Sequence, residues 1–275
     1  VNYITASVFS FQVIATMLAL IAGMNYGDAY LIHENFKKLG TRPRNSWLWM
    51  ILGLFGFFTA LLCHETAIAF PFYLSACLLL IRRLSWRQTI RFSFPFWLMA
   101  GGYFLWRLSF ASLKANLFDK VADITIVQYL ATFTKLILWY FKCFFTLDGI
   151  VLIWSTPVIK NQPWIWIIVL MTLITLTAFL VMRLRRSPHA IWPVWVWIGF
   201  LPVTLGCFFQ PKSGLMIEPH WLIVASIGLF AGLSGLLLAA KQKIRRSYWF
   251  GAVTVVVVSL IATGWQYNRL WSNEE

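Results

Sequence analysis

Residues 47–81 read WLWMILGLFGFFTALLC, then HET, then AIAFPFYLSACLLLI: two apolar runs, Trp47–Cys63 and Ala67–Ile81, parted only by His64, Glu65 and Thr66. Neither run shows a repeating polar position. Neither therefore has the polar stripe that a helix lying on a water-facing surface needs. Each is slightly shorter than the ~20 residues that cross a ~30 Å hydrocarbon core. Three polar residues are too few for a loop between separate domains, so the stretch predicts two helices joined by a tight hairpin with a polar tip near one interface.

The rest of the chain has the same character. Of 275 residues, 60% are hydrophobic and only 12% charged, with a mean hydropathy of +0.74. Soluble domains average ~45–50% apolar and ~25% charged residues. Those values exclude a water-soluble globule, a disordered chain, a collagen and a coiled coil. They predict an all-α fold, a polytopic transmembrane helical bundle. Its spans are expected at 4–24, 47–63, 67–81, 92–113, 163–183, 190–208, 219–240 and 248–264. That is about eight spans within a transmembrane domain of residues 1–264. Residues 265–275 then begin an extracytoplasmic C-terminal region. The chain opens at Val1 without a basic n-region, so its first run is not read as a signal peptide. It reads as a piece that lacks residues at both ends.

A net charge of +14 would suit nucleic acid if the cations formed one surface. They form short clusters between apolar runs instead. Lys37, Lys38, Arg42 and Arg44 make the first, and Arg82, Arg83, Arg87 and Arg91 the second. Arg183, Arg185 and Arg186 make the third, and Lys241, Lys243, Arg245 and Arg246 the fourth. This is the pattern of cytoplasmic loops, so the partners expected are membrane lipids and not nucleic acid. It predicts a multi-pass integral membrane protein, placed in a bacterial inner membrane. The segments 64–66, 114–162, 209–218 and 265–275 then face outwards. Of nine carboxylates, all but Asp28 and Glu34 fall on that outer side. Trp47, Trp49, Trp164, Trp166, Trp192, Trp221, Trp249 and Trp265 sit near span ends, where amphipathic rings favour the headgroup layer.

Residues 126–146 are long enough to cross, but a single crossing would turn Arg183–Arg186 outwards. Gln128, Thr132, Lys135 and Lys142 share a helical face. The segment reads as an amphipathic helix on the outer leaflet, with a re-entrant pair over 126–157 as the alternative.

The candidate site residues lie at outer positions. His64 and Glu65 form the hairpin tip, where an imidazole and a carboxylate near a bilayer are costly unless paired or wetted. They either orient polar chemistry or make a hydrated turn. Arg107 lies six residues, or about 9 Å, from the outer end of its span. It can snorkel to water, or grip a phosphate at headgroup depth with its forked guanidinium. Glu218, Pro219 and His220 open the span 219–240. Pro at a first position and an acid before it are ordinary capping, yet a helix N-terminus beside a histidine also suits a phosphate. Lys135 and Lys142 could bind anionic headgroups or line a solvated face. Cys63, Cys77, Cys143 and Cys207 are too scattered for a disulfide framework or a zinc site, and no metal site is read. No GxGxxG, P-loop, HExxH or GxSxG arrangement occurs. Gly228, Gly232 and Gly235 have the spacing of close helix packing.

These places also carry a resemblance. Ala60-Leu-Leu-Cys-His-Glu-Thr-Ala-Ile-Ala-Phe-Pro71 resembles the "LALLSKEtavvlP" hairpin of GT-C-type membrane glycosyltransferases, in the branch that bears tetratricopeptide repeats (O-mannosyltransferase-like). Tyr103 to Arg107, Trp139 to Gly149, Trp195 to Pro202, Glu218 to Gly228 and Asn268 to Trp271 resemble further motifs of that family in the same order. Cys63-His64 stands where the family has Ser-Lys, Glu218 falls one place early, and Ala225 replaces a proline. The acidic motif of the family's first outer loop has no counterpart, as if the chain began after it. The isolated piece is expected to be inactive.

The resemblance implies transfer of a sugar from a polyprenyl-phosphate donor to an acceptor, of unknown identity, on the extracytoplasmic face. Glu65 and His64 would then be catalytic. Arg107, Glu218, His220, Lys135 and Lys142 would bind substrate phosphate. Glu65 suits a hydroxyl or, as the one cofactor candidate, a divalent metal ion. Two other readings remain: a non-catalytic membrane anchor for a repeat domain, and a transporter or flippase of lipid-linked sugars. A transporter would show broken helices near the midplane and internal repeats, neither of which the sequence displays.

Overall fold

A computed structural model describes residues 2–36, 46–109, 124–146, 154–208, 215–217, 219–241 and 246–272. The described helices are α1 (Asn2–Phe36), α2 (Ser46–Cys63), α3 (Phe70–Leu80), α4 (Trp86–Ser109), α5 (Ile126–Thr146), α6 (Pro163–Leu184), α7 (Ile191–Phe208), α8 (Ile223–Lys241) and α9 (Arg246–Ser272). Short 3-10 turns at Glu65–Ala69, Pro188–Ala190 and Pro219–Leu222 lead into α3, α7 and α8. The all-α expectation holds. One small addition is an antiparallel ribbon, β1 (Trp154–Thr156) on β2 (Leu215–Ile217), with Ser155 opposite Met216.

Helix ends differ from the expected spans where polar residues continue a helix. α1 runs on to Phe36, through most of a segment read as loop, and α4 begins at Trp86, inside the second basic cluster. Hydropathy marks the apolar part of a helix, whereas the backbone hydrogen-bond ladder extends past it. α9 likewise continues past the expected span end at 264, to Ser272.

The bundle has two apolar cores that share α7 and α8. In the first, α1 packs along α2, while α3 packs on α1, α4 and α7. The turn of the hairpin is tight, with the rings of Phe57 and Phe70 stacked at 4.7 Å. Its arms then diverge, each following a different neighbour. α1 and α2 approach closely at Gly56, where an added Cβ would lie 3.2 Å from Ala19 Cβ. The second core joins α5, α6, α7 and α8 around Phe133, Leu136, Phe200 and Ala225. α7 and α8 meet at Gly199, whose missing side chain admits Ala225. On α8, Gly228 and Gly232 take Trp195 and Trp192, which is the close packing their spacing implied.

α5 corrects one expectation. It does not lie across the ends of its neighbours. Tyr129, near its start, donates from its hydroxyl to the carbonyl of Thr204, near the end of α7. Phe144, near its finish, meets Phe230 of α8 at 4.8 Å. The chain then returns, and Ile159 N–H donates to Thr132 Oγ1 at 3.0 Å before α6 begins at Pro163. α5 and α6 therefore run in the same direction, side by side. Residues 156–159 cover the polar face of α5 around Thr132, which is fully buried, and Lys135, while Lys142 stays exposed.

Among the described residues two helices are long and apolar enough to cross a membrane: one contains Ser10–Gly27, and the other is Pro163–Leu184. Shorter apolar helices cover 47–63, 65–80, 223–238 and 248–259. Large apolar side chains face outwards around the bundle, including Phe55, Leu105, Ile168, Phe179 and Leu236.

Candidate functional site at one end of the bundle

The site is built on the corner between α2 and α3. His64 N–H closes the last turn of α2 on Ala60 O at 3.0 Å, after which His64 turns extended, with φ −161° and ψ 141°. That conformation lets its ring cap the next turn. Thr66 N–H donates to His64 Nδ1 at 3.2 Å, and the Thr66 hydroxyl lies 2.9 Å from the same nitrogen. A backbone N–H can only donate, so Nδ1 is the acceptor and the neutral ring carries its proton on Nε2. His64 is thus a positioning cap for the turn that carries Glu65.

Thr66 is buried, and its Oγ1 accepts from Gln12 Nε2 at 2.6 Å. A polar pair at such a depth fixes register, because separating it leaves a desolvated donor and acceptor. Gln12 of α1 thereby ties the corner to the bundle. Sequence reasoning did not select Gln12 or Thr66. The signal available was a lone amide inside the apolar run 4–24.

Glu65 points out of this corner towards Arg107, on the last turn of α4. Arg107 Nη2 lies 3.9 Å from Glu65 Oε2, and the two side chains are 43% and 57% exposed. This is an ion pair beyond hydrogen-bond length. Exposed pairs of this kind contribute about 0–1 kcal/mol to stability. The pair does little to hold the fold and leaves both charges open to a ligand. Tyr103, one turn earlier on the same face, packs its ring on Trp106 at 5.8 Å.

The other expected residues are distributed differently. Lys135 Nζ donates to Thr156 Oγ1 at 2.8 Å, tying α5 to β1, and is half-buried. Lys142 is exposed about 10 Å further along α5. Lys142 therefore lies about two helical turns further from Tyr129 than Lys135 does, towards the Phe144 end of α5. His220 lies in the Pro219–Leu222 turn, which packs on α7 and α8. Glu218, with Asp119, Asp123 and Asp148, lies outside the described residues.

The opposite end is set by the basic loops. The Arg83 guanidinium donates to the carbonyl of Arg186, so the 82–85 and 185–187 loops meet. Arg83 adopts φ 55°, a left-handed conformation unusual for an L residue. The Glu65–Arg107 corner and these loops therefore occupy opposite ends of α3 and α4.

Among the described residues no group of three or more His, Cys, Asp or Glu side chains gathers, and the near neighbour of Glu65 is a cation. The described cysteines Cys63, Cys77 and Cys143 are thiols. No family model, curated protein or solved structure matches the chain.

Proposed function

We propose that the chain is a multi-pass membrane glycosyltransferase-like protein that moves a sugar from a polyprenyl-phosphate donor to an acceptor at the extracytoplasmic face. The observation that carries this reading is the exposed Glu65–Arg107 pair at the end of the bundle away from the arginine loops. The positive-inside pattern assigns those loops to the cytoplasm, which puts the pair on the outer side. Large apolar side chains around the helices support a lipid surround, since water would disfavour so much exposed hydrocarbon.

In this reading Arg107 grips the donor phosphate, where its fixed fork matches the phosphate oxygens. The acceptor hydroxyl lies against Glu65. Its oxygen attacks the anomeric carbon while the bond to the phosphate oxygen breaks. The electron pair leaves with the polyprenyl phosphate, and the hydroxyl proton passes to the Glu65 carboxylate. Arg107 stabilises the charge growing on the departing phosphate. His64, through its cap on Thr66, holds the turn that aims Glu65.

The test is donor binding. The full chain in nanodiscs would be titrated with a radiolabelled polyprenyl-phosphate sugar. Arg107→Ala should weaken binding about 10- to 100-fold, the loss of a charge-assisted hydrogen bond of about 1.5–3 kcal/mol. Arg107→Lys should lose less. Unchanged binding in Arg107→Ala would overturn the assignment.

A further inference from the structure

A cavity of about 420 Å³ opens between α5, α6, α7 and α8, at the end of the bundle opposite Glu65. Its size falls within the ~300–1000 Å³ of pockets that hold small organic ligands. Phe141, Phe144, Trp192 and Val196 contribute to its walls, together with Gly228 and Gly232. At its rim, Phe145, Leu180 and Leu236 are 68%, 45% and 70% exposed, so the opening faces the surroundings of the bundle.

The interior offers almost nothing to a polar ligand. Thr177 is engaged twice, donating to Leu173 O at 2.8 Å and accepting from Trp197 Nε1 at 2.9 Å. The remaining polar side chains of the lining are the Trp192 indole and, at the mouth, the exposed ring of His189. Next to that mouth stand the exposed Arg183, Arg185 and Arg186, with Arg83 drawn in by its bond to the Arg186 carbonyl. Glu65, the one carboxylate whose side chain lies among the described residues, is at the far end. A positive-inside loop alone carries such arginines. What distinguishes this loop is the hydrocarbon-lined cavity that opens beside it.

We infer that this cavity is a binding site for an anionic phospholipid of the cytoplasmic leaflet, with an acyl chain in the cavity and the phosphate held by His189 and the 183–186 arginines. The inference rests on the membrane reading above but not on sugar transfer. Charge complementarity selects an anionic headgroup, because basic residues at a membrane surface attract anionic lipid.

The experiment loads the full chain into nanodiscs of equal phosphatidylglycerol and phosphatidylcholine, extracts it, and quantifies retained lipid by mass spectrometry. The expected result is about tenfold enrichment of phosphatidylglycerol. That enrichment should vanish in Arg183→Gln/Arg185→Gln/Arg186→Gln. Retained lipid of both kinds should fall in Leu180→Trp, which fills the mouth. Leu236→Trp on the other rim should behave alike, which guards against a single misfolded variant. A diazirine on the acyl chain should cross-link within 141–145 or 228–236. Equal retention of the two lipids, or cross-links confined elsewhere, would overturn the inference. So would displacement by polyprenyl phosphate, which would assign the cavity to the donor tail. The same variants should bind the sugar donor normally. A failure of donor binding in wild type, with phosphatidylglycerol still enriched, would sink the functional reading and leave this one standing.

Discussion

Arg107 faces Glu65 across 3.9 Å while both side chains stay substantially exposed, so two opposite charges meet without closing into a hydrogen bond. A structural salt bridge would be shorter and more buried. The open gap gives the two residues opposite effects on an anionic ligand. Glu65→Gln removes a like charge from the phosphate and releases Arg107. Donor binding should therefore tighten about 2- to 5-fold, from a pair worth up to about 1 kcal/mol, while Arg107→Ala weakens it. Titration of both variants with the polyprenyl-phosphate sugar checks the signs. Weaker binding in Glu65→Gln would mean that the carboxylate contacts the donor directly.

The Gln12–Thr66 bond should matter for folding. Gln12→Leu leaves Thr66 without its buried donor and should cost about 1–3 kcal/mol. Thr66→Val strands the Gln12 amide and removes the partner of His64. The double variant Gln12→Leu/Thr66→Val should cost less than the sum, because neither polar group is then left buried alone. Thermal unfolding in detergent, followed by tryptophan fluorescence, gives the comparison. Strictly additive losses would show that the two groups do not interact.

Gly199 should be the least replaceable glycine described. A Cβ there would lie 2.4 Å from Ala225 Cβ and 2.6 Å from Ala225 Cα, so α7 and α8 must separate. Gly199→Ala should lower stability by about 1–3 kcal/mol. Gly101→Ala, with nothing within 4 Å of the new Cβ, should be tolerated. The same unfolding assay ranks them, and equal stability of the two variants would contradict the close approach.

Gln162 caps α6 at φ 48° with no side-chain hydrogen bond. A left-handed L residue carries about 1–2 kcal/mol of strain, which glycine avoids at some entropic cost. Gln162→Gly should raise stability by about 0.5–1 kcal/mol, read as a higher midpoint of unfolding. A lower midpoint would mean that the Gln162 side chain makes a contact worth more than the strain.

The helices were legible because hydropathy is a local property. Trp47–Cys63 and Pro163–Leu184 show no polar stripe, and both are helices close to where their composition ends. The ends of α1 and α4 were not legible, because residues such as Glu34 and Arg87 continue a hydrogen-bond ladder that hydropathy does not see. Glu65 and Arg107 could be assigned to one end from chain direction alone. Their meeting at 3.9 Å depends on how α4 packs on α3, which no local pattern encodes. The polar face of α5 looked solvated because periodicity cannot show that residues 156–159 fold back onto Thr132 and Lys135.

Sidedness underlies all of the functional reasoning, and cysteine labelling measures it directly. In a cysteine-free background, Glu65→Cys and Arg185→Cys would be treated with a membrane-impermeant maleimide in intact, right-side-out vesicles. Glu65→Cys should react at once, and Arg185→Cys only after the membrane is opened. Reaction of both positions from the same side before opening would contradict the account.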